Sequence, residues 1–342
     1  MKLSDFKFTV PEKLIAQYPS RKRGDSRMMV LDRRTETFED RRFHDIADLL
    51  NPGDCLVFNE TKVFAARLFG IKDKTDAEVE IFLLRELERD LWEVMVRPAR
   101  KVRVGNKIHI GGMVIGEVVD NTISGGRVIR FTGKKTLMDI IDKVGKVPLP
   151  PYIKREPEDI DKDRYQSIFA KKEGAVAAPT ASLHFDKKTV KKLESRGVKF
   201  APVLLHVGLG TFRPVQVEDL TRHKMDSEYY EMEESSAKII NETIDRSGRI
   251  IAIGTTAVRV LETAVTTDGH VKADKGWTDR FIYPPYDFKV VNALITNFHM
   301  PCSTLLMLVC AFGGREFILK AYRRAIREKY RFYSYGDAML IF

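Results

Sequence analysis

Cysteine is scarce in this chain: Cys55, Cys302 and Cys310 are three among 342 residues and lie far apart. That is too few for a disulfide framework or a thiolate metal site. The seven histidines show no HExxH or comparable spacing, so no metal is expected. A Gly-x-x-x-x-Gly-Lys-Ser/Thr loop is missing. So is a strand-linked Gly-x-Gly-x-x-Gly with a ribose-binding acid about 20 residues on, which argues against NTPase and ordinary dinucleotide chemistry. No stretch approaches the roughly 20 apolar residues of a membrane span. Residues 1–11 alternate polar and apolar without the apolar centre of a targeting signal. A soluble, cytoplasmic protein with no membrane contact is expected.

What is present is positive charge. Lys+Arg 58 against Asp+Glu 48 leaves +10, and a polyanionic partner is favoured because each neutralised phosphate releases condensed counterions. The charge is clustered, in Arg21-Lys22-Arg23, Arg33-Arg34, Arg41-Arg42, and in Lys187, Lys188, Lys191 and Lys192 at helical spacing. This pattern points to nucleic acid.

The length suggests two domains. Apolar runs at 28–31 and 55–58 open an α/β domain. From Arg67 to about Gly133 the texture changes to strand-like runs at 77–84, 91–96, 107–110, 113–119 and 127–131, punctuated by Gly105-Asn106, Gly111-Gly112 and Gly125-Gly126. A small antiparallel β-barrel is expected over 67–147, inserted into a main domain of 1–66 and 148–342. Pro148-Leu149-Pro150-Pro151-Tyr152 suits a rigid return linker or a cleft wall. Strands at 198–207, 249–253 and 290–295 then alternate with helices opened by Asp186, at 257–264, and at 305–312 behind Ser303-Thr304. The fold expected is α/β, with a mostly parallel sheet flanked by helices.

Ligands of such sheets sit beyond the carboxyl ends of the strands. Three predicted strand ends are polar or glycine-rich: His206 to Thr211 with Gly208 and Gly210, Gly254-Thr255-Thr256, and Thr296-Asn297-Phe298-His299. His206 and His299 are expected in one shared cleft, less than roughly 15 Å apart. The run His223-Lys224-Met225-Asp226-Ser227-Glu228-Tyr229-Tyr230-Glu231 combines carboxylates and aromatic faces, which suits an ammonium or sulfonium centre. Glu228 is placed near that centre. An acid or base can come from His206, His223, Glu228 or His299; spacing alone does not choose.

Together these motifs resemble the S-adenosylmethionine:tRNA ribosyltransferase-isomerases of queuosine biosynthesis. The resemblance rests on Leu14-Ile15-Ala16-Gln17-Tyr18-Pro19, Asn59-Glu60-Thr61-Lys62-Val63, Val96-Arg97-Pro98-Ala99 and Arg164-Tyr165-Gln166. It continues in Ala177-Ala178-Pro179-Thr180-Ala181 with Leu183-His184-Phe185, Gly254-Thr255-Thr256-Ala257-Val258-Arg259, and Tyr333-Ser334-Tyr335-Gly336-Asp337. It implies transfer and isomerisation of the ribosyl part of S-adenosylmethionine onto a 7-aminomethyl-7-deazaguanine at the tRNA wobble position. Epoxyqueuosine, adenine and methionine are the products, with no further cofactor and no obligatory protein partner. In the sequence of steps it implies, a base removes a proton from the ribose carbon beside the sulfonium, adenine leaves, the amine attacks, and epoxide closure expels methionine. His206, His299 and Glu228 are the catalytic candidates. Substrate-binding roles fall to Gly208, Gly210, Thr211, Gly254, Thr255, Thr256 and Asn297, and by resemblance to Thr180, His184, Arg164, Tyr165 and Gln166. The chain departs from the family's usual pattern at Asp226 and Lys146, where histidines are usual, and at Pro285, where glycine is. Two competing readings share part of this signature. A methyltransferase would release S-adenosylhomocysteine, and a non-catalytic RNA-binding protein would release nothing.

Overall fold

The computed structural model describes residues 1–122, 125–212 and 214–342. Its centre is a nine-stranded sheet. Four neighbouring strands run parallel, in the order Lys199–Leu205, Cys55–Asn59, Ile250–Ile253 and Ala293–Asn297. Antiparallel strands extend both sides: Glu228–Met232 and Asp274–Thr278 beyond the first, Ala338–Ile341 beyond the last. Arg27–Asp32 then pairs parallel with Ala338–Ile341, and Thr37–Arg42 closes that edge. The parallel core is thus four strands wide within a mixed sheet.

Alternation along the strands explains the layers. Met29, Leu31, Cys55, Val57, Val203 and Leu294 face one apolar cluster, while Met28, Val30, Leu56, Phe58, Ile251 and Ile295 face another. The period of two sends neighbours to opposite faces, so a sheet covered on both sides needs continuous apolar runs. The first face is covered by helices including Gly254–Ala264 and Thr304–Gly313; the second carries Lys187–Ser195. Two helix starts are the ones the sequence signals. Asp186 accepts from the Thr189 amide at 2.7 Å, and Ser303 from the Leu306 amide at 3.1 Å. Among the described residues no helix is long and apolar enough to cross a membrane.

The insert is a closed antiparallel barrel of six strands: Arg67–Lys72, Glu78–Glu88, Leu91–Arg97, Arg127–Gly133, Val114–Asn121 and Lys107–Ile110. The last pairs back to the first through Ile71 with His109 and Lys72 with Ile108, so no edge remains between them. It has its own core around Ile81, Trp92, Val94 and Phe131. The strand Arg67–Lys72 and the helix Leu137–Val144 were not legible, because Gly70 interrupts the first. At Gly70 a Cβ would lie 2.6 Å from Ile108 Cγ2, so glycine lets the closing strands touch.

The strand expected at 290–295 begins only at Ala293 and runs to Asn297. Residues before it are held by a side chain instead of a ladder. The buried Glu262 carboxylate accepts from the amides of Lys289 and Val290 and from Tyr286 Oη.

Candidate active site

All four parallel strands end at the same side of the sheet, and their carboxyl ends build the site. Where Cys55–Asn59 and Lys199–Leu205 separate, Asn59 fills the lost ladder bonds. Its Nδ2 donates to the Leu205 carbonyl, and its Oδ1 accepts from the amides of Thr61 and Leu205. This fixes Thr61, whose hydroxyl lies 2.8 Å from His206 Nδ1. One face of the imidazole is covered by Gly174, where a Cβ would stand 2.6 Å from the ring, and Gly174 has φ +150°. Burial lowers the His206 pKa, opposed by Glu231 and assisted by Lys172. His206 is therefore a neutral imidazole at neutral pH.

Glu228 opens the strand Glu228–Met232, where the pattern of burial alternates. Glu228 and Tyr230 consequently point inward while Tyr229 and Glu231 face out, so Glu228 and Tyr229 lie on opposite faces of the strand. Glu228 is 5 % exposed. Its Oε2 is ion-paired with Arg259 Nη1, and its Oε1 accepts from the Gly208 amide at 2.7 Å. Arg259, 4 % exposed, also donates to the Thr278 and Arg280 carbonyls. Glu231 pairs with Lys172, and Tyr230 Oη donates to Asp274. Of the acidic run, Asp226 is the carboxylate that remains exposed.

Three neighbouring cavities meet at this point. The first, about 60 Å³, is lined by Tyr152, Thr180, Val207, Thr211, Gly254, Thr255, Thr256, Asn297, His299 and Arg259 among others. The second, about 560 Å³, lies between barrel and sheet and is lined by Arg85, Trp92, Gly174, His206, Gly208, Asp226, Glu228 and Trp277. The third, about 450 Å³, carries Gly210, Thr211, His223, Asp226 and Glu228. Val207 joins the first to the second, Thr211 the first to the third, and Asp226 with Glu228 the second to the third. His206 and His299 thus line different lobes, divided by Val207 and two intervening strands.

His299 is 8 % exposed, and burial pushes its pKa down to about 3. Its Nε2 lies 3.3 Å from Thr296 Oγ1, and its amide donates to Tyr322 Oη. Among the described residues its Nδ1 has no hydrogen-bond partner, nor does the hydroxyl of Thr256 across the same cavity. Orphaned polar atoms in a concave lining are places where a ligand completes the bonding.

Several residues expected to bind substrate have their polar groups bonded within the frame. His184 is fully enclosed, its Nδ1 at 2.7 Å from Ser26 Oγ and its Nε2 at 3.2 Å from Asn297 Oδ1, with its ring stacked on Phe43. Burial lowers its pKa to about 4. Asn297 spends its Nδ2 on the Tyr333 and Ser334 carbonyls while still lining the first cavity. Arg164 donates to the Ser20 and Arg21 carbonyls, and Gln166 bonds both backbone groups of Val63. Tyr165 is buried edge-on to Tyr335. None of His184, Arg164, Tyr165 and Gln166 lines the three lobes. Conversely, Trp92 and Arg85 line them without a local signal, since their place depends on contacts distant in sequence, and Arg259 lines them as the last residue of the Gly254 to Arg259 motif, to which the sequence assigned no role.

The chain matches the family described as Queuosine biosynthesis protein over residues 3–341. It is 56% identical to the S-adenosylmethionine:tRNA ribosyltransferase-isomerase of Cytophaga hutchinsonii and 54% identical to that of Chloroherpeton thalassium, each alignment covering 100% of both chains. The crystal structure of an S-adenosylmethionine tRNA ribosyltransferase from Thermotoga maritima is similar at a TM-score of 0.56 and 36% identity, covering 99% of this chain and 100% of that one. With sheet, barrel and strand-end cleft all inside these alignments, the chain belongs to the S-adenosylmethionine:tRNA ribosyltransferase-isomerase family of queuosine biosynthesis.

Proposed function

We propose that this enzyme transfers and isomerises the ribosyl part of S-adenosylmethionine onto the 7-aminomethyl-7-deazaguanine at the tRNA wobble position, giving epoxyqueuosine-tRNA, adenine and methionine. S-adenosylmethionine is a substrate here and no other cofactor is required. Acting on tRNA, the enzyme is expected to work in the cytoplasm. The observation that carries the reading is the end-to-end match to relatives of that name. We take 67–147 as the inserted unit and 1–66 with 148–342 as the main unit, so the widest lobe of the cleft lies between the two.

Within the cleft, His206 is the general base, since it is neutral, oriented by Thr61 and open to the largest lobe. Glu228 acts through others. It holds the Gly208 amide and balances Arg259, and so positions the 206–211 loop. The exposed Asp226 takes over the role foreseen for Glu228, facing a cationic amine or sulfonium. His299 and Thr256 offer neutral hydrogen-bonding atoms to one end of the nucleoside, while the junction of the two wide lobes at Asp226 and Glu228 receives the rest. Gly208, Gly210, Gly254 and Thr255 supply backbone and hydroxyl contacts to this ligand, with Thr180 and Thr211 beside them.

The decisive experiment incubates the protein with labelled S-adenosylmethionine and tRNA carrying the precursor base. Adenine and methionine are expected in equal amounts; S-adenosylhomocysteine would mean methyl transfer instead. A second test concerns the base. Gly174→Ala places a methyl group within 2.6 Å of the His206 ring, so the ring must shift. Misplacing a reacting group by about 1 Å costs on the order of 100-fold in rate. Single-turnover kinetics should show that loss with an unchanged circular dichroism spectrum, and a wild-type rate would remove His206 from the mechanism.

A further inference from the structure

Trp277 is 54 % exposed, on the edge strand Asp274–Thr278, at the mouth of the 560 Å³ lobe. A large apolar ring so exposed at an enzyme cleft asks for an occupant. It stands opposite Tyr229 across the ladder, edge-on at 5.8 Å between centroids, and Tyr229 in turn stacks with His206 at 5.9 Å. The three rings form a row from solvent to the proposed base. Lys275, two residues earlier and therefore on the same face, is exposed and has no ion pair among the described residues. From the barrel, the Arg85 guanidinium lies 5.5 Å from the Trp277 ring, against 3.6 Å for Arg27 over Tyr330, so the ring is not capped closely.

We propose that Trp277 is the stacking platform for an unpaired nucleotide of the RNA substrate, the neighbour of the reacting one, with Lys275 meeting its phosphate. This rests on the tRNA reading above and gives that partner a place. Single-stranded RNA is read by unstacked bases laid on aromatic or guanidinium planes, and stacking tolerates any base because each has a π face. An aromatic ring and a cation alternating on an open strand face are the parts this requires. The site also places the RNA beside His206 and Asp226, at the lobe where the amine must enter.

The test compares Trp277→Ala, Trp277→Phe and Lys275→Ala on the full-length protein. Direct binding of an anticodon stem-loop and steady-state turnover are both measured. Trp277→Ala should weaken stem-loop binding and raise its KM by about 5- to 150-fold, as expected for one lost base stack. The kcat, and S-adenosylmethionine affinity measured without RNA, should stay within about threefold on this proposal, and Trp277→Phe should recover most of the RNA affinity. Lys275→Ala should reduce the slope of log affinity against log salt by about 0.7, the value for one single-stranded phosphate. Unchanged stem-loop affinity in Trp277→Ala overturns the proposal. So does a parallel fall in S-adenosylmethionine affinity, which would make the ring a prop for the cleft. Because RNA binding is measured apart from turnover, failure of the wild type to form product would count against the reaction and leave this result readable.

Discussion

Arg259→Met is expected to lower the thermal midpoint by on the order of 5–15 °C, following the several kcal/mol that an unpartnered buried charge costs. The reason is the neighbourhood of Glu228. With Arg259 gone, a carboxylate 5 % exposed keeps the Gly208 amide and loses its cation. Breaking a buried pair from one side costs about 3–5 kcal/mol, whereas removing both charges is often near neutral. The double variant Glu228→Gln with Arg259→Met should therefore melt above the Arg259→Met single. Turnover separates architecture from chemistry. Glu228→Gln leaves an acceptor for Gly208 and a neutral amide against Arg259, so the 206–211 loop relaxes beside the proposed base. A rate loss of about 100-fold or more is expected, of the size seen when a preorganised electrostatic contact is removed, with tRNA affinity nearly unchanged. If Glu228→Gln turns over at the wild-type rate with unchanged S-adenosylmethionine affinity, the pair is scaffold and catalysis rests on His206 and Asp226.

The features legible in the sequence are those a short window determines. Apolar runs bounded by charge found the central strands, and side chains able to accept from a following amide found the caps at Asp186 and Ser303. Polar strand ends found the rim of the cleft, since Gly254, Thr255 and Thr256 line it as expected. What the window missed are pairings between distant positions. Glu228 and Arg259 lie 31 residues apart and meet because the start of the strand Glu228–Met232 packs beside the middle of the helix Gly254–Ala264. His184 sits in a short helical turn of small residues that suggests a ligand pocket, yet Ser26 and Asn297 close on it from far away in the chain. The clustered cations divide in the same way. Arg23 and Arg33 spend their guanidiniums on backbone carbonyls, and Lys192 pairs with Asp48. Net charge reports solvent and partners poorly when part of it is structural.

Acid should unfold this protein through two histidines before most of its carboxylates matter. His184 and His299 are buried and neutral, with pKa values lowered to about 4 and about 3. In the unfolded chain an ordinary histidine titrates near 6.5. Between those values the unfolded state binds more protons than the folded one, so stability rises with pH and is lost as pH falls from about 6.5. Linkage gives a loss of about 3 kcal/mol for His184 alone by pH 4, and a similar amount for His299. Their sum is a large share of the roughly 5–15 kcal/mol that holds a typical domain. Urea unfolding followed from pH 7 to 4.5 should show this decline. The variant His184→Gln tests its origin independently of its own stability, since only the slope matters. Removing one titrating histidine should reduce the pH dependence by about 1.4 kcal/mol per unit near pH 5. An unaltered slope would mean that His184 is charged in the fold, and that the bonds from Ser26 and Asn297 hold an imidazolium.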